Sequence, residues 1–262
     1  MYNVNSFFAL LDEFAPMSIE RTLLNCGEYD NSGIIVKSHE EVSKVLFSLD
    51  LSEAAVRRAK RIGADTVVTH HPAIYHPIKS LSENDKETSA LLLAARFSLN
   101  VISMHLNLDY AEDGIDANLC KGLGGKEYKI LNLIDGKHGY GREFKVENKT
   151  FGEFIKAAKI NFGSKIVAYG KLGEKIDKAA SFCGGGSGYA LSAIKEGATD
   201  ADAIITSDAP HHVIKEIIEY GKKLVLIPHY AAEEFGFAEF YRKIKEKSKK
   251  AEILYFCDKR FK

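Results

Sequence analysis

Short apolar runs alternate along the chain with longer stretches in which apolar residues recur every three or four positions, as strands alternating with amphipathic helices do. The pattern predicts strands at 33–37, 43–50, 65–69, 100–104, 165–169, 177–183, 202–206, 223–227 and 252–257. It predicts helices at 5–14, 52–61, 86–98, 150–161, 189–196, 211–220 and 231–247. This alternation predicts an α/β protein whose parallel or mixed sheets are covered by helices.

Two of the predicted helices carry capping residues at their ends. Ser52 is a good N-cap, and Gly63 can end the same helix in a left-handed conformation. Thr150 is followed three residues later by Glu153, which predicts a capping box.

Glycines mark the middle of the chain, where we expect a boundary between two lobes of similar size. They cluster at positions 122, 124, 125, 136, 139 and 141. We therefore predict an N-terminal α/β lobe at 1–125 and a second α/β lobe at 126–262. The C-terminal segment, about 225–262, is expected to be able to pack back on the first lobe.

Composition narrows the class of protein. Of the 262 residues, 45% are hydrophobic and 27% are charged, as in ordinary globular proteins. The 36 Lys and Arg residues equal the 36 Asp and Glu residues, which argues against electrostatically driven nucleic-acid binding. No apolar run reaches the roughly 20 residues that cross a bilayer, so no membrane association is predicted. The N-terminus lacks a basic leader and the four cysteines are far apart, so we expect a cytoplasmic protein with reduced thiols.

The candidate chemistry lies in the histidines, most of which follow predicted strands. The chain has nine histidines, and four strands run into polar residues that include His70 with His71, His105 with Asp109, Asp208 with His211 and His212, and His229. Parallel strands bring their carboxyl ends to one edge of a sheet, where ligands bind. Imidazole and carboxylate together suit zinc, iron or manganese, so a metal site is predicted there.

Several of these residues have alternative explanations. A single histidine at a strand end is usually a hydrogen-bonded loop residue. Neighbouring side chains on an extended backbone point in opposite directions, so His70 and His71 could bind one metal each, or one could bind while the other packs. His229 and Glu233 are four residues apart, which suits co-ligands on one helix face, although Glu233 could instead be a first-turn acid favoured by the helix dipole. We favour the metal role for Glu233.

The glycine-rich segment Cys183–Gly188 also has two explanations. Its backbone N–H groups could cradle a phosphate at a helix N-terminus. Alternatively, it is a tight turn with close backbone packing, and the sequence does not decide between the two.

Six segments, in the same order along the chain, resemble those of the NIF-three-like family of dinuclear-metal proteins, often named GTP cyclohydrolase I type 2 homologues. They are YDNSGIIV (29–36), VVTHHPAIYHPIKSL (67–81), SMHLNLDYAEDGIDANL (103–119), SFCGGGSG (181–188), ITSDAPHH (205–212) and IPHYAAEEFG (227–236). The chain departs from the usual family residues at four positions. It has Tyr29 where the family usually has Trp, Leu106 where it has Thr, and Ser207 and Pro228 where it has Gly. None of these departures removes a ligand that the resemblance implies.

The resemblance implies a site of two divalent metal ions, zinc, iron or manganese, between two related α/β lobes with mixed sheets flanked by helices. The implied metal ligands are His70, His71, Asp109, His229 and Glu233, with Glu233 bridging the ions. It also implies that His105 and His212 lie beside the metals as catalytic, proton-transferring groups.

The same resemblance implies an assembly and an activity. The assembly is a homohexameric ring, and the chain is the compact form without an inserted middle domain. The activity is metal-dependent hydrolysis, with GTP cyclohydrolase-type ring opening of a nucleotide by metal-activated water. The alternative is a non-catalytic metal-binding scaffold, or a metal-delivery or regulatory protein.

Overall fold

The computed structural model describes residues 1–261, and these fold as two compact units. The first unit comprises Met1–Ala111 together with Phe237–Arg260, and the second comprises Glu112–Gly236 with Phe261. No helix within residues 1–261 combines the length and the apolar character needed to cross a lipid bilayer.

The secondary structure within residues 1–261 follows the alternation that the sequence predicts. The helices are α1 (Val4–Asp12), α2 (Met17–Asn25), α3 (Glu53–Ile62), α4 (Ser89–Arg96), α5 (Leu106–Asp109), α6 (Ile115–Gly122), α7 (Phe151–Phe162), α8 (Ser187–Lys195), α9 (His211–Glu219) and α10 (His229–Lys247). The strands are β1 (Tyr2–Asn3), β2 (Gly33–Val36), β3 (Glu41–Val42), β4 (Lys44–Ser48), β5 (Thr66–Thr69), β6 (Asn100–Ser103), β7 (Tyr128–Leu133), β8 (Gly139–Thr150), β9 (Val167–Tyr169), β10 (Lys175–Ser181), β11 (Ala203–Thr206), β12 (Lys223–Leu226) and β13 (Glu252–Tyr255). A short 3₁₀ turn spans Lys259–Phe261.

The first unit is built on a five-stranded sheet in the order β13-β4-β5-β6-β2. Strands β13, β4, β5 and β6 are parallel, and β2 runs antiparallel beside β6. Every residue of β5 and β6 is buried, as expected for parallel strands covered on both faces. Leu46, Val67 and Val101 from the sheet pack with Val56 of α3 and Ala94 of α4 in one core.

The second unit is built on a six-stranded sheet in the order β7-β8-β10-β11-β12-β9. Strands β10, β11 and β12 are parallel. Strand β9 is antiparallel beside β12, while β8 is antiparallel to β10 and pairs with β7 in a hairpin.

The two units share a topology. In each, three consecutive parallel strands are joined by two helices: β4-α3-β5-α4-β6 in the first and β10-α8-β11-α9-β12 in the second. An earlier strand, β2 or β9, then lies antiparallel beside the third parallel strand. The predicted fold class of related α/β lobes with mixed sheets flanked by helices is therefore confirmed, and in each unit the carboxyl ends of three parallel strands lie on one edge.

The predicted caps are present. The Ser52 side chain accepts a hydrogen bond from the backbone N–H of Ala55, and Gly63 ends α3 in the left-handed region with φ of 70°. Thr150 and Glu153 form both hydrogen bonds of a capping box at the start of α7. These local interactions depend on residues close in sequence, which is why the sequence predicts them well.

The sequence pattern did not predict the β7–β8 hairpin, nor α2 and α6. Its glycines were interpreted only as a boundary, but Gly139 is part of the hairpin itself. A Cβ at Gly139 would lie 2.4 Å from the backbone oxygen of Asn132, so the close approach of the two strands requires glycine there. The predicted helix at 86–98 is also shorter in the structure, where α4 spans Ser89–Arg96.

We predict that Ser52→Ala lowers the free energy of unfolding by about 1 kcal/mol, because the Ala55 N–H loses its acceptor. Ser52→Asp, which retains an acceptor oxygen, should stay within about 0.5 kcal/mol of the parent. Urea unfolding followed by circular dichroism measures both. Equal losses for the two variants would show that the acceptor oxygen at this position does not stabilise the helix.

Candidate metal-binding residues

Four potential ligands lie together at the carboxyl ends of β5 and β6; we call His70, His71, His105 and Asp109 the first-unit cluster. Ligand atoms of His70, His105 and Asp109 all lie within 4.8 Å of one another. The His71 ring centroid is 5.0 Å from that of His70 and 5.9 Å from that of His105. His70 is fully buried and Asp109 is 5% exposed, so both side chains are largely removed from water.

Local structure explains this convergence. His70 follows β5 directly, and His105 follows β6 after one residue. The single turn α5 then carries the chain back, with the Asp109 N–H donating to the His105 carbonyl at 2.9 Å. A spacing of four residues across this turn places Asp109 beside the strand-end histidines.

The three histidines of the first-unit cluster are oriented in the same way, through Nδ1. His70 Nδ1 lies 2.8 Å from the Met104 carbonyl oxygen, which can only accept, so Nδ1 carries the proton. His71 Nδ1 is 2.6 Å from Asp50 Oδ1, and His105 Nδ1 is 2.7 Å from Asp30 Oδ1. With Nδ1 protonated, Nε2 of each neutral ring holds the lone pair that a metal needs.

Asp30 is itself held firmly in place. Its Oδ2 accepts a 2.7 Å hydrogen bond from the Ser32 hydroxyl, whose oxygen accepts one from the His105 N–H at 3.0 Å. Burial raises the pKa of the Asp30 carboxyl, but the hydrogen bond from His105, with donors from Ser32 and the Asn31 backbone, holds that pKa below its usual range. Asp30 is therefore ionised at neutral pH, and the stability it contributes is lost as pH falls through its lowered pKa.

The second unit holds a corresponding set of side chains; we call Cys183, Asp208, His229 and Glu233 the second-unit cluster. Cys183 follows β10, Asp208 follows β11, and α10 begins at His229 shortly after β12. His229 Nδ1 lies 2.5 Å from Asp208 Oδ2, and His229 Nε2 lies 2.9 Å from Glu233 Oε2. Cys183 Sγ is within 4.8 Å of a Glu233 carboxylate oxygen, and Glu233 is 2% exposed.

The donor atoms in both clusters are spaced as ligands of one cation would be. Imidazole nitrogen and carboxylate oxygen bind zinc at about 2.0–2.2 Å, so two ligands of one ion lie about 3.0 Å apart at a right angle and about 3.4 Å apart at a tetrahedral angle. His229 Nε2 and Glu233 Oε2 are 2.9 Å apart, and His70 Nε2 and Asp109 Oδ1 are 3.4 Å apart. The residues present therefore fit a divalent metal.

The glycine-rich turn packs directly on Glu233. Gly184 has φ of 55°, and a Cβ there would lie 2.4 Å from Glu233 Oε1 and 3.4 Å from His229 Nε2. The Gly184 carbonyl accepts hydrogen bonds from the N–H groups of Ser207 and Asp208 at 3.3 and 3.2 Å. These contacts support the tight turn with close backbone packing, since only glycine lets the chain approach this carboxylate.

The buried ion pair of Asp116 and Arg142 holds the backbone at the start of that turn. Asp116 Oδ1 accepts a hydrogen bond from the Cys183 N–H at 3.1 Å, and Asp116 Oδ2 accepts from Arg142 at 2.9 Å. Both charged side chains are fully buried. The Tyr140 hydroxyl donates to the Cys183 carbonyl. The backbone at Cys183 is thus held on both its N–H and its C=O.

Each predicted site residue has a defined place in the fold. His70, His71, His105 and Asp109 come together in the first unit, and His229 and Glu233 come together in the second. His212 lies in the first turn of α9 and is exposed, and its catalytic role stays a prediction.

The sequence analysis gave no site role to Asp30, Asp50 or the Cys183 thiol, and it placed Asp208 at a strand end without pairing it with His229. Asp50 and Asp208 each follow the last residue of a parallel strand by two positions, as the predicted ligands follow theirs. The same strand-end argument could have found them as partners of histidine. Asp30 precedes an antiparallel strand, so that argument does not reach it.

These observations define a class of protein: two related α/β units, each presenting imidazole and carboxylate donors at the carboxyl ends of its parallel strands. Residues 2–260 match the family described as Duf34/NIF3 (NGG1p interacting factor 3), and the chain belongs to that family.

Individual relatives agree with this assignment. A GTP cyclohydrolase 1 type 2 homolog of Clostridium perfringens is 27% identical over 249 residues, which cover 93% of this chain and 92% of the relative. A protein of the same name from Nostoc is 30% identical over 212 residues, covering 79% and 78% of the two chains. A Bacillus cereus protein related to NIF3 has a solved structure with a TM-score of 0.86 at 17% identity, covering 98% of this chain and 96% of that one, which supports the fold.

We predict that Gly184→Ala weakens metal binding about tenfold, because the new methyl group displaces the Glu233 carboxylate. The left-handed backbone should also make the variant about 1–2 kcal/mol less stable. Gly185→Ala is the matched control, since a Cβ there meets nothing within 4 Å. Zinc titration against a chromophoric chelator measures affinity. Equal affinities for the two variants would contradict the packing role of Gly184.

We predict that Asp208→Asn lowers zinc affinity about 10–100-fold, because His229 Nδ1 would face a neutral amide, which can also present a donor, in place of the carboxylate that fixes its tautomer and raises its basicity. Asp135→Asn alters a similar aspartate–histidine pair, with His138 Nδ1 2.8 Å away on the β7–β8 turn, and should change nothing. The same chelator competition compares them. A parallel loss in both variants would point to a general effect of charge.

Proposed function

We propose that the protein is a metal-dependent hydrolase whose first-unit and second-unit clusters together hold two divalent cations. The observation that carries the proposal is the common orientation of His70, His71, His105 and His229. In each of these histidines an acceptor engages Nδ1, which leaves Nε2 as the electron-pair donor. Histidines that bind metals in proteins are held in this way.

In this proposal the five predicted ligands divide between the clusters. The ions would be held by His70, His71 and Asp109 of the first unit and by His229 and Glu233 of the second, with Glu233 proposed as the ligand that both ions share. The donor set of imidazole and carboxylate suits zinc, iron or manganese. The Cys183 thiol beside Glu233 would favour zinc or iron if it bound as thiolate.

Bound cations would supply Lewis acidity that makes a water molecule a better nucleophile toward the ring carbon. A ring C–N bond would then break, and the departing ring nitrogen would need a proton. The chain's own residues would move the protons. His105 suits this role because ionised Asp30 holds its ring and stabilises the imidazolium that forms. His212 is proposed as a second proton-transferring group, at the start of α9.

The proposed substrate is a nucleotide, with GTP ring opening as the reaction. Support for it comes from the relatives named GTP cyclohydrolase 1 type 2 homolog. We further propose that six copies of the chain form a ring. Light scattering of the purified protein would measure the mass of that assembly. The cytoplasm is the proposed location.

The test combines metal analysis with turnover. The purified protein should contain two equivalents of divalent metal by elemental analysis and should convert GTP, followed by chromatography. Asp109→Asn and Glu233→Gln should lose both metal and activity. His105→Asn should keep its metal and lose about 10²–10⁴-fold in rate, the usual contribution of a general acid or base.

His138→Asn is the control, because His138 pairs with Asp135 on the hairpin turn and belongs to neither cluster. It should keep both metal and activity. A protein that binds two metals but turns over neither GTP nor bis(p-nitrophenyl) phosphate would instead be a scaffold or metal-delivery protein. A protein that binds no metal would overturn both functions.

A further inference from the structure

Three aromatic side chains form an exposed cluster beside the first-unit cluster. The ring centroids of Tyr29 and Tyr75 are 5.6 Å apart at 84°, and those of Tyr75 and His76 are 4.7 Å apart at 72°. The Tyr29 ring stacks on that of His76 at 6.0 Å and 25°. Tyr29 is 46% exposed and Tyr75 is 44% exposed, so aromatic surface faces water.

The cluster reaches the proposed proton-transferring histidine. The Tyr75 ring centroid is 6.1 Å from that of His105, with the rings perpendicular at 89°. A flat molecule stacked on Tyr75 would therefore lie near the His105 imidazole, and Tyr29 would extend the same aromatic surface. Single exposed aromatic residues are common on proteins, whereas these three contact one another beside a candidate catalytic residue.

Residues 29–31 position both the aromatic side chains and His105. Tyr29 immediately precedes Asp30, the carboxylate that accepts the hydrogen bond of His105 Nδ1. The next residue, Asn31, donates a 2.7 Å side-chain hydrogen bond to the Ile74 carbonyl, immediately before Tyr75. The aromatic cluster and the imidazole are thus positioned by one connected set of contacts.

Exposed ring faces of this kind bind other flat rings. Nucleic-acid bases stack on aromatic side chains because every base has a π-face, and each such stack contributes about 1–3 kcal/mol. A purine offers a larger face than a pyrimidine and can contact two neighbouring rings.

We propose that Tyr29, Tyr75 and His76 form a platform on which the substrate's purine base stacks, which places the base beside His105. The proposal rests on the proposed function for the identity of the substrate, while the platform itself rests on the contacts of these residues. It assigns Tyr29 and Tyr75 as specificity-determining residues that select a base-bearing phosphate over a phosphate without a base.

The chain contains no tryptophan, so Tyr29→Trp places a single fluorescent reporter in the platform. Titration with GMP should quench this tryptophan saturably, and ribose 5-phosphate, which lacks the base, should not. Adding Tyr75→Ala to the reporter variant should weaken GMP binding about tenfold, as the loss of one stacking partner implies. The titration is run on the protein as purified and again after EDTA treatment, so that binding is measured apart from metal-dependent turnover.

Tyr220→Trp is the matched control, because Tyr220 is a similarly exposed tyrosine, 49% accessible, at the end of α9. It should give no saturable quenching. Tyr75→Trp serves as a second reporter if Tyr29→Trp fails to fold.

The platform would be overturned if ribose 5-phosphate quenched the Tyr29→Trp reporter as strongly as GMP does. It would also be overturned if GMP changed the fluorescence of Tyr29→Trp and Tyr220→Trp in the same way, without saturating. Fluorescence that changes with protein concentration rather than with GMP would also overturn it, since a second copy would then cover these rings. If the protein hydrolyses GTP but GMP does not quench the reporter, the platform alone is wrong. If GMP quenches the reporter but no hydrolysis occurs, the proposed activity alone is wrong.

Discussion

The hydrogen bonds that histidine Nδ1 atoms donate are the interaction on which the proposed chemistry of this protein depends. A neutral imidazole can point either nitrogen at a ligand, and only a fixed acceptor on the other nitrogen decides which. Here a backbone carbonyl orients His70, and Asp50 and Asp208 orient His71 and His229. Without these acceptors the same histidines would be ordinary polar residues at strand ends. With them, the histidines present Nε2 as the donor atom.

The repeated topology explains why the acceptors and the donors meet. Each unit places three parallel strands side by side, so residues that are distant in sequence leave the sheet at one edge. In the first unit this edge brings Asp50 from the end of β4 to His71 from the end of β5. In the second unit it brings Asp208, after β11, to His229, after β12. One architectural rule therefore supplies both the candidate ligands and the groups that orient them.

Much of the fold could be predicted from the sequence because its elements depend on local interactions. The caps at Ser52 and Thr150 and the buried runs of β5 and β6 are set by neighbouring residues. The β7–β8 hairpin was not predicted, because the need for glycine at position 139 comes from the close approach of the facing strand. That contact with Asn132 is known only from the folded structure. Glycine carries no side-chain pattern from which such contacts can be predicted.

The candidate site, too, could be predicted only where it depends on residues close together in the sequence. Strand-end histidines with carboxylates four residues away are visible in the sequence, whereas the acceptor of a ring nitrogen is a long-range contact. Asp30 lies 75 residues from His105, and Gly184 is separated from Glu233 by two helices and two strands. Those contacts exist only in the folded chain, so their residues could be named as orienting or packing groups only from the structure.

The central claim is that these oriented nitrogens and buried acids bind metal ions. Anomalous diffraction from crystals of the zinc-loaded protein tests it most directly. The account predicts two anomalous peaks per chain, with His70, His71 and His229 bound through Nε2 and with Glu233 between the two ions. Two peaks bound through Nδ1, or none at these residues, would contradict it.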